Sequence, residues 1–369
     1  MRWSPVRVIV AIVAVLMIGF STAYVSSGEV RYLTRAGLEE TQILTERKPI
    51  AKVLRNPDLD PAVRGQLELV LQARDAAAGL GLKAEETYTQ FTDVGRDTLL
   101  LVLSASPPDC LCPVTWKYPI VGRVPYKGFF DPKMARAAAE ELDAQGLDTY
   151  LRPSGAFSTL GWFNDPLLST ALGGDSVEIA ALVFHEVAHN TLYVKSATPF
   201  NETFAQMVGY RSAEAFFRER GDSALAARAA NRWHDELVLA AFYDSLAARL
   251  DTLYASKPDS AGLAVGRAEA GRWSREQLEG PVGAELRTIQ VGRIADRPVN
   301  NARLIAARIY RTHSAWFEGW YQLNGADVRL TVERLQPVVA GAEGDSAFAR
   351  LENALRGAGE PTTSVGATP

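Results

Sequence analysis

Two imidazoles, a carboxylate beside the first and another carboxylate shortly downstream carry the chemistry of this chain. They lie in His185-Glu186-Val187-Ala188-His189 and in Asn201-Glu202-Thr203-Phe204-Ala205. In a helix, side chains four positions apart share a face, so both rings can reach one ion. A zinc ion bound for catalysis takes three protein ligands and keeps its fourth position for water. Glu202 stands where a second helix, packed on the first, would supply the third ligand. Glu186 is then beside the water without coordinating the ion, the position of a general base. The pattern predicts a zinc hydrolase with His185, His189 and Glu202 as metal ligands and Glu186 as its catalytic base.

Such a site needs a buried helix, and the apolar run Ile179-Ala180-Ala181-Leu182-Val183-Phe184 just before the motif suits one. The motif holds two of the four histidines in the chain, and a metal is a partner that two buried imidazoles can share. The plain alternative is a pair of surface histidines on an exposed face. Asp175 or Ser176 would cap the first helix, which is expected to run to about Val194. Ser196 to Pro199 then forms the link, with Glu202 in or near the first turn of the second helix. Asn201 either positions that helix, touches substrate backbone or serves as its N-cap.

Hydrolysis through a tetrahedral intermediate also needs a donor for the oxyanion. Tyr310 and His313, close together near the end of a late helix, are the catalytic candidates, with an exposed histidine as the competing reading of His313. His234, within Arg232-Trp233-His234-Asp235-Glu236, reads as solvated. Tyr126, Trp162 and Phe163 line either the cleft or the core.

Upstream, Val30 to Leu44 and Pro61 to Gly79 read as helices, the second with Asp60 as N-cap and Pro61 at its first position. Thr98 to Ser104 reads as a buried strand, and Pro107 to Phe130 as short strands and turns. A helix opens at Asp131-Pro132 and closes at Gly146. Asp148 to Arg152 reads as another strand. Thr149 to Pro153 is either an interior strand or an edge along which an extended peptide pairs, with Pro153 ending the pairing. Residues 154–174 read as an irregular loop. Beyond the site, Ala224 to Ser256, Leu263 to Ile289, Asn300 to Thr312 and Val328 to Val339 read as helices. The expected fold is α+β and predominantly helical, a zincin-like catalytic domain with a small β-sheet preceding the active-site helices.

At 369 residues, 47% hydrophobic and 22% charged, the chain has an ordinary globular composition. A net charge of −4 without a basic run gives no footprint for nucleic acid. Residues 1–28 stand apart, with Arg2 and Arg7 flanking the apolar run Val8 to Phe20. That segment suits an uncleaved membrane anchor, the favoured reading, or a signal peptide cut near Ser21-Thr22-Ala23. Either places the catalytic part outside the cytoplasm. Residues 29–356 are expected to form one domain and 357–369 a disordered tail. The only two cysteines, Cys110 and Cys112, read as incidental loop residues, either free or in a labile bridge.

The block Asn-Glu-x-Phe-Ala after His-Glu-x-x-His resembles that of the gluzincin metallopeptidases. More closely, Tyr118 to Phe130, Ala156 to Thr170, His185 to Ala205 and Asn300-Asn301-Ala302 resemble segments of the bacterial putative aminopeptidase family, over about residues 30 to 340. The resemblance implies zinc on His185, His189 and Glu202, catalysis by Glu186, and a peptide or protein substrate, which the N-terminal segment would place in the bacterial cell envelope. Two departures stand out. No lipid-attachment cysteine follows the apolar run, and the Gly-x-Met-Glu-Asn segment that holds a free substrate amine in gluzincin aminopeptidases is missing. Two further readings stay open: a membrane-tethered scaffold with a structural metal, and a zinc hydrolase acting on a non-peptide amide.

Overall fold

The computed structural model of the chain describes residues 5–118, 122–155, 165–295 and 297–359. It opens with helices α1 (Pro5–Ser26) and α2 (Gly28–Glu46), divided at Ser27, whose hydroxyl accepts from the Val30 N–H. Within α1, Val8–Ser26 is long and apolar enough to cross a membrane, and none of it is buried against the rest of the protein. A signal sequence has the same length and composition.

A short strand β1 (Lys48–Pro49) and helical turn α3 (Ile50–Val53) lead to α4 (Pro61–Gly79). As its sequence predicts, α4 begins with the Asp60 carboxylate accepting from Ala62 and Val63 N–H and with Pro61 where no N–H is needed. The strands β2 (Gln90–Thr92), β3 (Leu100–Ser106), β4 (Trp116–Tyr118), β5 (Gly122–Val124) and β6 (Lys127–Phe129) precede helix α5 (Pro132–Ala144). Helix α5 is capped by Asp131 and closed at Gly146, whose φ of +80° suits only a residue without Cβ strain. Strands β7 (Asp148–Ser154) and β8 (Leu167–Leu168) complete the β part. The rest is helical: α6 (Ser176–Thr191), α7 (Thr198–Glu219), α8 (Ser223–Ala255), α9 (Ser260–Glu279), α10 (Pro281–Glu285), α11 (Gly292–Ala295), α12 (Asn301–Arg308), α13 (Ser314–Leu323), α14 (Val328–Val339) and α15 (Ser346–Gly359). The protein is α+β and predominantly helical, with its sheets before the helices that carry the motif.

Among the described residues the strands form three small sheets, ordered β1-β2-β8, β6-β3-β7 and β4-β5. The middle one is antiparallel, and β7 pairs with β3 from Leu100↔Ser154 to Ser106↔Asp148. Pro153 sits opposite Leu101 inside that ladder, so it does not end the pairing as expected. Its missing N–H costs nothing if it faces away from β3, and β7 has no strand on that side among the described residues.

The main core joins α4, α6 and α7 to α13, α14 and α15, with Phe184, Phe200, Phe204 and Phe317 fully buried. A second cluster joins the later part of α8 to α9 and α12 through Leu239, Phe242, Leu250, Leu278 and Leu304. Leu263 to Ile289 is not one helix. It breaks at Gly280, and Pro281, which cannot donate to the preceding turn, starts α10. Helix α15 runs to Gly359, past the expected domain end at 356, while 360–369 lie outside the described residues. Cys110 and Cys112 are joined in a disulfide.

Candidate active site

The site grows from the contact of α6 with α7. The Asp175 carboxylate caps α6, accepting from Val177 and Glu178 N–H, and the helix buries Val177, Ile179, Ala180, Val183, Phe184, Val187 and Ala188. It ends at Thr191, short of the expected Val194, because Leu192 is already extended. The Thr191 hydroxyl closes the end, donating to the Val187 carbonyl at 2.8 Å and accepting from the Lys83 N–H at 2.9 Å. Asn201 lies inside α7 and is buried. Its carboxamide accepts from the Val194 N–H and donates to the Val194 carbonyl, both at 2.8 Å. Ala197 is the N-cap residue of α7; Asn201 is the latch that fixes the turn between the two helices.

Two turns beyond Glu202 on the same stripe of α7 is Gly209. A Cβ there would lie 2.8 Å from the Ala181 carbonyl oxygen and 3.5 Å from the His185 Cβ. Only glycine lets the two backbones approach this closely, and the approach puts Glu202 opposite His185.

At that contact the His185 and His189 Nε2 atoms are 3.1 Å apart. Glu202 Oε2 is 3.3 Å from His185 Nε2, and Oε1 is 3.8 Å from His189 Nε2. One ligand atom from each residue falls within 4.8 Å of the others, so the three could hold a metal ion. Two imidazole nitrogens and a carboxylate oxygen form a donor set that suits zinc. Burial, reinforced by His185, lowers the His189 pKa to about 4, which leaves that ring neutral and able to coordinate. Burial also opposes charge on His185 and Glu202, but their mutual hydrogen bond and charges win, raising His185 and lowering Glu202.

Glu186 points to a different environment. Burial pushes its carboxyl above the usual range; His185 pulls it back, while Glu202 and Asp165 push it further. Tyr88, also buried, feels both Glu186 and Asp165. Tyr310 reaches the site, its ring centroid 6.4 Å from that of His185. It follows α12 and is flanked by ion pairs to α8, Arg308–Asp244 at 3.0 Å and Arg311–Glu236 at 2.7 Å. Burial first, then Glu202, raises its pKa and keeps the phenol protonated. Tyr126 feels Glu202 and lies at the exposed rim.

His313 is occupied elsewhere. Its ring stacks on Trp316 at 3.8 Å and meets Phe348 edge-on at 4.9 Å, and none of its contacts among the described residues is with the site. Trp162 and Phe163 lie outside the described residues. His234 is not simply solvated, since its Nε2 is 3.2 Å from the Glu285 carbonyl. Sequence reasoning passed over Gly209, Tyr88 and Arg152. A glycine inside a helix is a readable signal, whereas the other two reach the site only through strand pairing and tertiary packing.

The fold and the site define an α+β protein, mostly helical, with a His-His-Glu group able to take a metal. The chain belongs to the family described as "Putative aminopeptidase", which matches residues 31–344. That family points to a hydrolase acting on peptides. No curated protein and no solved structure matches the chain.

Proposed function

We propose that this protein is a zinc-dependent peptidase, with the ion on His185, His189 and Glu202 and with Glu186 as general base. The convergence of those three donors across the α6–α7 contact carries the reading. A bound zinc ion supplies Lewis acidity, polarising the scissile carbonyl and acidifying a water. Glu186 takes the proton of the attacking water and hands it to the leaving amine. Its raised pKa brings it nearer the neutral range in which one group can do both. Tyr310 donates its phenolic hydrogen to the developing oxyanion, and burial keeps that hydrogen in place. The run of α1 almost directly into α2 supports an anchored protein, and its positive flank favours the N-terminus inside, with the site on the outer side of the membrane.

The test is the metal content and peptide hydrolysis of the full chain in detergent, beside Glu202→Ala. About one zinc per chain with hydrolysis, both absent in Glu202→Ala, is the expected result. A folded wild type that takes up no zinc would sink the reading and favour a scaffold.

A further inference from the structure

Tyr310 stands two residues past the end of α12, on the turn that carries the chain into α13. Ile309 closes α12, its N–H donating to the Ile305 carbonyl, so the tyrosine lies outside the helical ladder. A ring on a turn takes its place from whatever holds its neighbours. Here those neighbours are Arg308 and Arg311, each paired with a carboxylate of α8. The two pairs are unequal. The Arg308 and Asp244 side chains keep 34% and 45% of their surface exposed, so water screens that pair and it fixes little. Arg311 and Glu236 keep only 18% and 9%. Arg311 is held further, its Nη1 donating to the Ala307 carbonyl at 2.8 Å and its guanidinium lying 5.7 Å from the centre of the Tyr243 ring.

A buried ion pair stabilises a fold only when hydrogen bonds satisfy the rest of both groups, since desolvation otherwise offsets the attraction. Glu318, about as enclosed, is such a pair. Its oxygens accept from Arg211 Nη2 at 2.6 Å and Nε at 3.3 Å, and from Trp233 Nε1 and Gln322 Nε2, both at 2.7 Å. At Glu236 the charges are just as close, with Arg311 Nε 2.7 Å from Glu236 Oε2, but the contact lies off the hydrogen-bond direction. Neither of those two buried atoms has an aligned partner among the described residues. Such a pair adds little to stability. What it does is tie one turn to α8, and that turn carries the ring whose centroid is 6.4 Å from that of His185.

We propose that Glu236, acting through Arg311, is a positioning residue that fixes Tyr310 beside the metal site, an inference that rests on the peptidase reading above and on Tyr310 as its oxyanion donor. Glu236 takes no part in proton transfer. An oxyanion exists only in the transition state, so a displaced donor lowers kcat and leaves KM unchanged.

The test is a double-mutant cycle on kcat in the zinc-loaded full chain. Tyr310→Phe is expected to lower kcat by about 10²- to 10³-fold, the range for one lost oxyanion donor. Glu236→Gln is expected to lower it by about 10- to 100-fold, as a small misplacement does, with zinc content and KM unchanged. In the Tyr310→Phe background the same substitution should change kcat by less than about twofold. A loss of equal size in both backgrounds, or none in either, overturns the proposal. Glu236→Gln leaves Arg311 as a buried charge without its partner, so Glu236→Gln combined with Arg311→Met, which removes both charges, is measured beside it and is expected to show the same coupling to Tyr310. A second readout needs no turnover. With 3-fluorotyrosine at position 310, the fluorine resonance of the metal-free full chain in detergent should be one narrow line, and either Glu236 variant should broaden or split it. A broad line in the otherwise wild-type chain, or a line that the variants leave unchanged, overturns the positioning by itself. A wild type that hydrolyses no peptide would remove the peptidase reading separately and leave the fluorine measurement intact.

Discussion

Glu186 and Asp235 are both enclosed carboxylates, and the protein treats them in opposite ways. Asp235, at the α8–α10 junction, accepts from the N–H groups of Arg287, Thr288 and Ile289 at 2.8, 2.7 and 3.0 Å, and from the Thr288 hydroxyl at 2.6 Å. Those bonds outweigh burial and lower its pKa. Glu186 accepts no hydrogen bond among the described residues, and burial raises its pKa. A charge with both oxygens hydrogen-bonded holds the chain together. A charge left without partners costs stability and is retained where a ligand or a proton will meet it.

Replacing each carboxylate should therefore break different things. Glu186→Gln is expected to keep zinc and the melting temperature while kcat falls by about 10²- to 10⁴-fold, the range for a lost general base. Near-normal turnover in that variant would falsify the assignment. Asp235→Ala is expected to do the reverse. It orphans three backbone donors and should cost on the order of 3 kcal/mol, read as a lower denaturation midpoint, with zinc content and kcat of the remaining folded protein unchanged. A loss of zinc there would mean that the two regions are coupled.

Gly209 sharpens the comparison from the packing side. Gly209→Ala forces a Cβ against the Ala181 carbonyl, so α6 and α7 must separate by a few tenths of an ångström. Overpacking of this kind costs about 1–3 kcal/mol, and here the displacement falls on the donors themselves. The variant should need more zinc for half-saturation than wild type in a chelator competition. An unchanged zinc affinity would show that the helix contact does not set the donor positions.

What the sequence made legible was local. The motif, its apolar helix, the cap at Asp175 and the Asp60-Pro61 start of α4 are decided within a few residues of themselves, and each stands where the spacing put it. The relation of Glu202 to the histidines was also readable, because a short link between two buried helices leaves few ways to pack them. The break at Gly280 was obscured by helix-like composition on both sides. Asn201 could be read as a cap because its type suits one, yet a buried carboxamide facing the main chain of Val194 does more as a latch.

The smallest effect separates the two regions by pH in the metal-free protein. His189 is held at about 4, below its ordinary 6.5. Between those values the unfolded chain binds the extra proton, so the fold loses stability as pH falls from 6.5 toward 4. His185 is raised, so its contribution is fully present below 6.5 and disappears as pH climbs through its folded value. Glu202 and Asp235 are lowered from 4.5 and 3.8, so their contributions fade only as acid carries the pH below those values. Between pH 6.5 and 4 the raised carboxyls of Glu186, Glu178 and Glu40 gain stability as pH falls, and the lowered His313 loses it. His189 is one contributor among several in that window, worth on the order of 1 kcal/mol after solvent screening. In His189→Gln the loss that His189 carries between 6.5 and 4 should be missing relative to wild type, while the loss at more acidic pH, carried by Asp235, persists. If urea midpoints of the two proteins instead fall in parallel from pH 6.5 to 4, His189 is not the neutral, desolvated imidazole that the site requires.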